Sequence, residues 1–452
     1  MHRKTEKVML EIQGKYCKDL KVFTDNIEEV AVSTLHRVAD MKPYAGKKIR
    51  IMPDVHQGVG NSVIGFSCPI DLDGGFVSPA VVGCDLGCTI SATFYDKPLN
   101  EEQIKLLEHR IRRILPFGKE INDRSVIKED ELVRAFSSVM DRMRSTYPML
   151  KDHAIEFNSW KDLRKWCDKF HMDYGRFIKG ISSVGGGNHF VEYDANEELS
   201  KYCICVHCGS RNLGQKVFQY WNRIAEECKI GKEEMKSLVE SVKASNTDKS
   251  TLNDELKEAK EQLLSTKVKG FLSDENMYKY LVDVLLAQEY ARLNHQYIHS
   301  RIEREYCKLT GAKVCEFIST THNYIDYDLE HGNPMIRKGA IRSYKGELMI
   351  IPFNMRDGIA ICEGKSNEDW NCTAPHGCGR TMSRKKAKEL LNVDDFKANM
   401  DDAGVYTTTA DETTLDEAPA AYKPKEEIIE LIKDTCDVLY FMKPRMNIKS
   451  SE

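Results

Sequence analysis

Six short clusters of histidine, cysteine and acid, most of them framed by glycine, punctuate this chain. They are Met52-Pro-Asp-Val-His56, Gly83-Cys-Asp-Leu-Gly-Cys88, Gly185-Gly-Gly-Asn-His189, Val206-His-Cys-Gly-Ser-Arg211, Thr320-Thr-His-Asn323 and Pro375-His-Gly-Cys-Gly-Arg380. Glycine adopts positive φ and lets backbone come close to a ligand. Histidine on such loops points to chemistry more than histidine on an apolar helix face does.

The sequence around the clusters mixes both regular structures. Lys48–Met52 reads as a strand ending at Pro53, and Val77–Tyr95 as two strands broken by Gly83 and Gly87. Ile178–Ser210 is a second glycine-rich β region, and Glu347–Pro352 a further strand. Helices are expected over Glu102–Leu115, Glu129–Thr146, Asn276–Cys307 and Glu426–Tyr440. Within the charged segment Lys216–Gln262, Met235, Leu238 and Val242 form one apolar stripe. Leu252, Leu256, Ala259 and Leu263 form another, with Asn246 and Asp248 between. That spacing predicts a peripheral pair of antiparallel amphipathic helices, a charged hairpin over residues 231–270. The fold class expected is α+β. Length alone would allow two or three domains, but no repeat or low-complexity linker divides the chain. It reads as one intertwined catalytic domain over residues 1–452.

Bulk properties exclude several classes. The formal net charge is −4, so no global basic field advertises nucleic acid, and any such groove must be a local patch. Fifteen cysteines, an odd number without framework spacing, point to reduced thiols and a cytoplasmic setting. The segment Met1–Gln13 has no apolar stretch of a signal peptide. No run approaches the ~20 apolar residues of a membrane span.

The clusters themselves offer metal ligands. Asp85 and Cys88 are three apart, so one turn could aim both at a metal or a metal pair. His189, His207 and His322 would add imidazoles. Thiolate, carboxylate and imidazole together suit Mn²⁺, Co²⁺ or Zn²⁺. Cys205 and Cys208 form a CxxC with no second CxxC at zinc-ribbon spacing. Cys84, Cys203 and Cys205 read as small buried hydrophobes. His295 and His299 are one helical turn apart but lack the intervening acid of HExxH, which favours a structural role. Gly185-Gly-Gly-Asn188 could present backbone N–H groups to phosphate. His376 sits between Pro375 and Gly377, with Arg380 four residues on. A histidine oriented by a carboxylate can be a covalent nucleophile, and arginine can meet phosphoryl oxygens. From the residues alone the reading stops at a metal-assisted phosphoryl or nucleotidyl transferase.

From about Arg50 to the C-terminus the chain resembles the RtcB family of RNA ligases. The resemblance rests on MPDVHQG, SPAVVGCDLGC, GGGNHFVE, HCGSRNLG, THN, PHGCGR and DEAPAAYK, in that order. It implies a compact α+β domain of the family's own type, with two Mn²⁺ in a deep central cleft. By motif, Asp85, Cys88, His189, His207 and His322 would be the metal ligands, Cys88 bridging the two ions. His376 would be the guanylated nucleophile and Asp54 the carboxylate that orients it. Asn188, Glu192, Gly377, Cys378, Tyr422 and Lys449 would line the guanine nucleotide pocket, with Glu192 reading the guanine edge. The implied reaction starts with attack of His376 on the α-phosphate of GTP. GMP then moves to an RNA 3′-phosphate, and a 5′-hydroxyl displaces it. A 2′,3′-cyclic phosphate would be opened first at the same metals. The implied partners are RNA with broken ends, such as tRNA, and an archease-like activator.

The chain departs from the common family text in four places. Cys378 stands where a small residue is usual, and Pro352-Phe-Asn-Met355 replaces Pro-Gly-Ser-Met. Asn354 therefore occupies the serine position that contacts nucleotide. Lys449-Ser450 replaces the terminal Lys-Gly, and the hairpin reads as an insertion. These changes mark a divergent branch. They motivate two alternatives: a metal phosphoesterase that has lost ligation, and a non-catalytic RNA-binding subunit.

Overall fold

The six strands that matter for the site are β1 (Lys48–Gln57), β2 (Cys88–Tyr95), β3 (Phe190–Asn196), β4 (Lys201–Cys208), β5 (Val314–Asp326) and β6 (Cys436–Ile448). They belong to a computed structural model that describes residues 10–58, 62–228, 232–246, 251–327 and 334–451. Among the described residues, twelve strands join in one sheet, and its middle runs β5-β2-β4-β3-β6, every neighbour antiparallel. Strand β1 is separated from β5 by two strands, Met335–Lys338 and Val63–Pro69.

Alternation along β2 explains its two-sided burial. Ile90, Ala92 and Phe94 point into an apolar cluster with Ile318, Ile350 and Ile361. Thr89, Ser91 and Thr93 face the other way and make polar contacts.

The helices referred to below are α1 (Glu101–Ile114), α2 (Glu129–Thr146), α3 (Arg211–Glu227), α4 (Lys232–Ser245), α5 (Leu252–Thr266), α6 (Asp274–Thr310) and α7 (Lys425–Leu431). Helix α1 starts in a capping box, Asn100 with Gln103, that satisfies two orphan N–H groups. The 37-residue α6 ends at Gly311, whose φ of 63° stops the helix. Tyr280, Leu281 and Tyr290 of α6 join Phe136, Trp166 and Trp221 in the largest apolar core. His295 and His299 of α6 are buried against Ser91, whose Oγ lies 2.6 Å from His295 Nδ1 and 2.7 Å from His299 Nε2. They tie helix to sheet, the structural role expected of them.

Helices α4 and α5 pack chiefly on each other. Met235, Leu238 and Val242 face inward only partly, as do Leu252, Leu256, Ala259 and Leu263. Residues 247–250 of the expected turn, Asp248 among them, lie outside the described residues, as does residue 231. No helix among the described residues is long and apolar enough to cross a membrane.

Four expectations need correcting. Strand β1 does not end at Pro53 but runs on to Gln57. Its pairing with Val63–Pro69 is irregular between Ile51 and His56, so the N–H that proline lacks falls where the ladder is broken. Only the two residues Phe76–Val77 form the first strand expected within Val77–Tyr95, because Pro79 starts a helical turn over Pro79–Val82. The C-terminal helix stops at Leu431, and Cys436–Ile448 is strand instead. That stretch pairs with Ile359–Gly364 and then with β3, so tertiary pairing overrides the local helical pattern. Cys84 is exposed, not buried, because it lies in the turn before β2 and outside the sheet.

Candidate active site and metal centre

Cys88 opens β2, His189 immediately precedes β3, His207 is next to last in β4, and His322 lies near the end of β5. Antiparallel pairing therefore brings all four to one end of the sheet. His207 stands opposite both Ile90 and Phe190, and Cys88 opposite Asn323.

A continuous line of short contacts results. Asp85 Oδ2 lies 2.9 Å from His189 Nε2, which is 3.4 Å from Cys88 Sγ. Cys88 Sγ is 3.2 Å from His207 Nε2, itself 3.2 Å from His322 Nε2. The donor atoms of Cys88, His189 and His207 all fall within 4.8 Å of one another. The His322 ring is 4.9 Å from that of His376, and His376 Nδ1 is 2.6 Å from Asp54 Oδ2.

Close packing of glycine makes this line possible. A Cβ on Gly185 would stand 1.8 Å from His189 Nδ1. A Cβ on Gly379, at φ +72°, would stand 2.3 Å from the Asp54 carbonyl oxygen. Only a bare backbone lets the two loops close.

The protonation pattern suits a cation. Burial holds His207 and His322 well below the ordinary histidine range, so both are neutral. His207 Nδ1 is 3.2 Å from the carbonyl oxygen of Asn188, which can only accept, so Nε2 presents a lone pair to Cys88 and His322. Burial pushes the Cys88 thiol up, a cost that a bound cation removes by taking the thiolate. Burial also raises Asp85, but the adjoining His189 outweighs it and holds the carboxyl well below its usual value. Two imidazoles, a thiol and a carboxyl–imidazole pair converging in one place fit a borderline divalent metal.

On the His376 side the line opens into a pocket. Asn188, Glu192, Asn354, Gly377, Cys378, Tyr422 and Lys449 all line it, together with His376 and Arg380. Glu192 is buried on β3 and accepts from Asn447 Nδ2 of β6 at 2.5 Å. Lys449 Nζ is 3.1 Å from Glu417 Oε2 and 3.2 Å from the Asn188 carbonyl oxygen. Tyr422 donates to Glu417 Oε2 at 2.7 Å. Burial raises the Glu417 carboxyl, but Lys449, Arg384 and Arg380 bring it down to about 2.

A family model described as tRNA-splicing ligase RtcB matches residues 34–450. The chain belongs to the RtcB family. It is 27% identical over 444 residues to the RNA-splicing ligase RtcB of Escherichia coli, covering 94% of this chain and 95% of that one. With the tRNA-splicing ligase RtcB of Archaeoglobus fulgidus the identity is 25% over 455 residues, covering 90% and 88%. With the RNA-splicing ligase RtcB of Mycobacterium tuberculosis it is 22% over 421 residues, covering 84% and 91%.

The residues proposed from the sequence for catalysis, for nucleotide binding and for metal binding all lie on the contact line or on the pocket wall. Two of them also hold the wall together. Arg380 donates to the carbonyl oxygens of Met382 and Asp416 and to Tyr422, so it braces the wall. Asn354 Oδ1 accepts from the backbone of Arg356 and Asp357, closing a turn. The CxxC does not chelate: Cys205 and Cys208 belong to different apolar clusters, on opposite faces of β4. Sequence reasoning missed Glu417, Arg384 and Asn447 on the pocket wall. Glu417 lies inside the DEAPAAYK signature and could have been found there. Nothing local marks Arg384 or Asn447.

Proposed function

We propose that this protein is a GTP-dependent RNA ligase that joins RNA 3′-phosphate or 2′,3′-cyclic phosphate ends to 5′-hydroxyl ends. The family, and the RNA-splicing and tRNA-splicing ligases it resembles over nearly its whole length, support an RNA ligase role. The observation that carries the finer reading is the Asp54–His376 pair beside the His/Cys line.

A carboxylate accepts only, so the proton of a neutral His376 sits on Nδ1 and the lone pair on Nε2. That nitrogen attacks the α-phosphorus of GTP. An N–P bond forms, the bond to the bridging oxygen breaks, and pyrophosphate leaves. The RNA 3′-phosphate then attacks the same phosphorus, taking GMP and returning the imidazole. In the last step the 5′-hydroxyl oxygen attacks the RNA phosphate, loses its proton and expels GMP. A 2′,3′-cyclic end must first take up water to give the 3′-phosphate. Glu192 accepts from guanine N1–H and N2–H₂, which selects GTP over ATP. Asn188, Gly377, Cys378, Tyr422 and Lys449 position the nucleotide.

Asp85, Cys88, His189, His207 and His322 would hold two divalent ions, with Mn²⁺ favoured. When bound, the ions would supply electrostatic stabilisation of phosphate charge. All fifteen cysteines are free, in keeping with a cytoplasmic setting, and an archease-like activator is a candidate partner.

The test is incubation with Mn²⁺ and α-labelled GTP. An acid-labile GMP adduct on His376 is expected. An adduct elsewhere, or none in the presence of metal, overturns the mechanism.

A further inference from the structure

Glu192 and Asp194 alternate onto the same face of β3, and both are buried. Asp194 is 0% exposed, and among the described residues neither of its carboxyl oxygens has a hydrogen-bond donor. Opposite it on β6 stands Pro444, which has no N–H, and opposite it on β4 stands Cys203. Cys203 and Cys205 are the titratable groups that β4 sets against the two acids. Burial pushes both thiols well above their ordinary range, so neither carries charge. Lys449, just beyond β6, acts on Glu192 and is bonded to Glu417.

The Glu192 carboxyl adjoins that of Asp194. Two carboxylates cannot bond to each other, because each only accepts. A carboxylate buried with neither donor nor cation takes up a proton rather than stay charged. One proton on the pair resolves both difficulties, since a protonated acid donates. That proton belongs on Asp194. Glu192 accepts from Asn447 Nδ2 at 2.5 Å and feels the charge of Lys449, both of which favour its ionised form. Asp194 has neither aid. Burial first, and the Glu192 charge second, push its carboxyl well above the usual range.

We propose that Asp194 is a positioning residue for guanine recognition, a neutral acid whose O–H donates to Glu192 and holds it as the carboxylate that reads the base. A carboxylate has about four lone-pair sites. Asn447 and Asp194 occupy two of them, which leaves two for guanine N1–H and N2–H₂. The proposal rests on the GTP reading of the pocket and names what sets the charge and orientation of its base reader.

The test uses the full chain with Mn²⁺ and GTP, and follows KM and the rate at saturation across the acidic and neutral range. Asp194→Leu is close in size but has no donor. It should raise the KM for GTP roughly tenfold, as loss of one hydrogen bond to a charged group does, with a smaller change in the saturated rate. Its acidic limb should move up by about one pH unit. Asp194→Asn restores an N–H donor and should bring both back toward wild type. A charged Asp194 predicts the opposite sign, because either substitution would remove a like charge and move the limb down. A limb that stays in place or moves down in Asp194→Leu therefore overturns the proposal and leaves GTP use standing. A second measurement needs neither the leucine variant nor GTP. The infrared difference between wild type and Asp194→Asn at neutral pH should show the carbonyl stretch of a protonated acid in the wild type. A carboxylate band in its place overturns the proposal. Wild-type protein that takes up no GTP defeats the GTP reading, and the proposal with it.

Discussion

One oxygen of Asp54, Oδ2, accepts from two groups of His376 at once, the ring Nδ1 at 2.6 Å and the backbone N–H at 3.1 Å. Ring tautomer and loop position are thus set by the same atom. His376→Ala should lose GMP labelling and sealing of 3′-phosphate ends, while metal binding survives. It should still join RNA supplied with a guanylylated 3′ end. Asp54→Ala should slow labelling by roughly 10²- to 10⁴-fold without ending it, the range seen when an orienting carboxylate is lost. Labelling at the wild-type rate in either variant contradicts these roles.

Cys88 Sγ stands between His189 Nε2 and His207 Nε2, at 3.4 Å and 3.2 Å. If its thiolate bridges two ions, Cys88→Ala should lower the metal content per chain and abolish labelling and sealing together. Metal content is read by elemental analysis after dialysis against Mn²⁺. Full occupancy with retained ligation rules out the bridge.

Burial pushes the Glu192 carboxyl up to about 7, against the pull of Asp194, Asn447 and Lys449. Guanine N–H groups need the charged form, which is lost as pH falls through that value. The KM for GTP should therefore rise below pH about 7, with a smaller change in the rate at saturation. Glu192→Gln should lose that acidic limb. A site built on these bonds should prefer GTP to ATP by roughly 10⁴-fold. Equal labelling by the two nucleotides is the contrary result.

Helices α4 and α5 touch each other more than the rest of the protein, and their apolar stripes are only half-buried. Deleting residues 231–270, with a short linker in their place, should leave GMP labelling within a few-fold of wild type. An effect confined to RNA sealing would make the pair an RNA platform. Insoluble protein would assign the segment to the core instead.

Gly379 and Gly46 both have positive φ, +72° and +69°, but only Gly379 has a neighbour in the way. An L-residue in that region costs about 1–2 kcal/mol. Gly46→Ala should lose that much stability in a denaturant titration and keep full labelling. Gly379→Ala should lose more stability, and labelling as well, because its Cβ would meet the Asp54 carbonyl oxygen at 2.3 Å.

The sequence by itself determined the parts whose causes are local. The helix over Glu129–Thr146, the apolar stripes of the hairpin, and the glycines that flank Asp85, His189 and His376 all act over a few residues and are legible one segment at a time. The family signatures supplied the roles of widely separated side chains. Tertiary structure alone decided which of these meet. Asp54 and His376 are 322 positions apart, and His207 and His322 are 115 apart. His207 and His322 meet because antiparallel strands far apart in sequence bring them to one end of the sheet, and His376 meets Asp54 because Thr373–Pro375, paired with Ala340–Arg342 in a separate two-stranded sheet, packs beside β1; no local propensity encodes either. The same holds for Cys436–Ile448, whose strand form depends on partners at Ile359–Gly364 and β3.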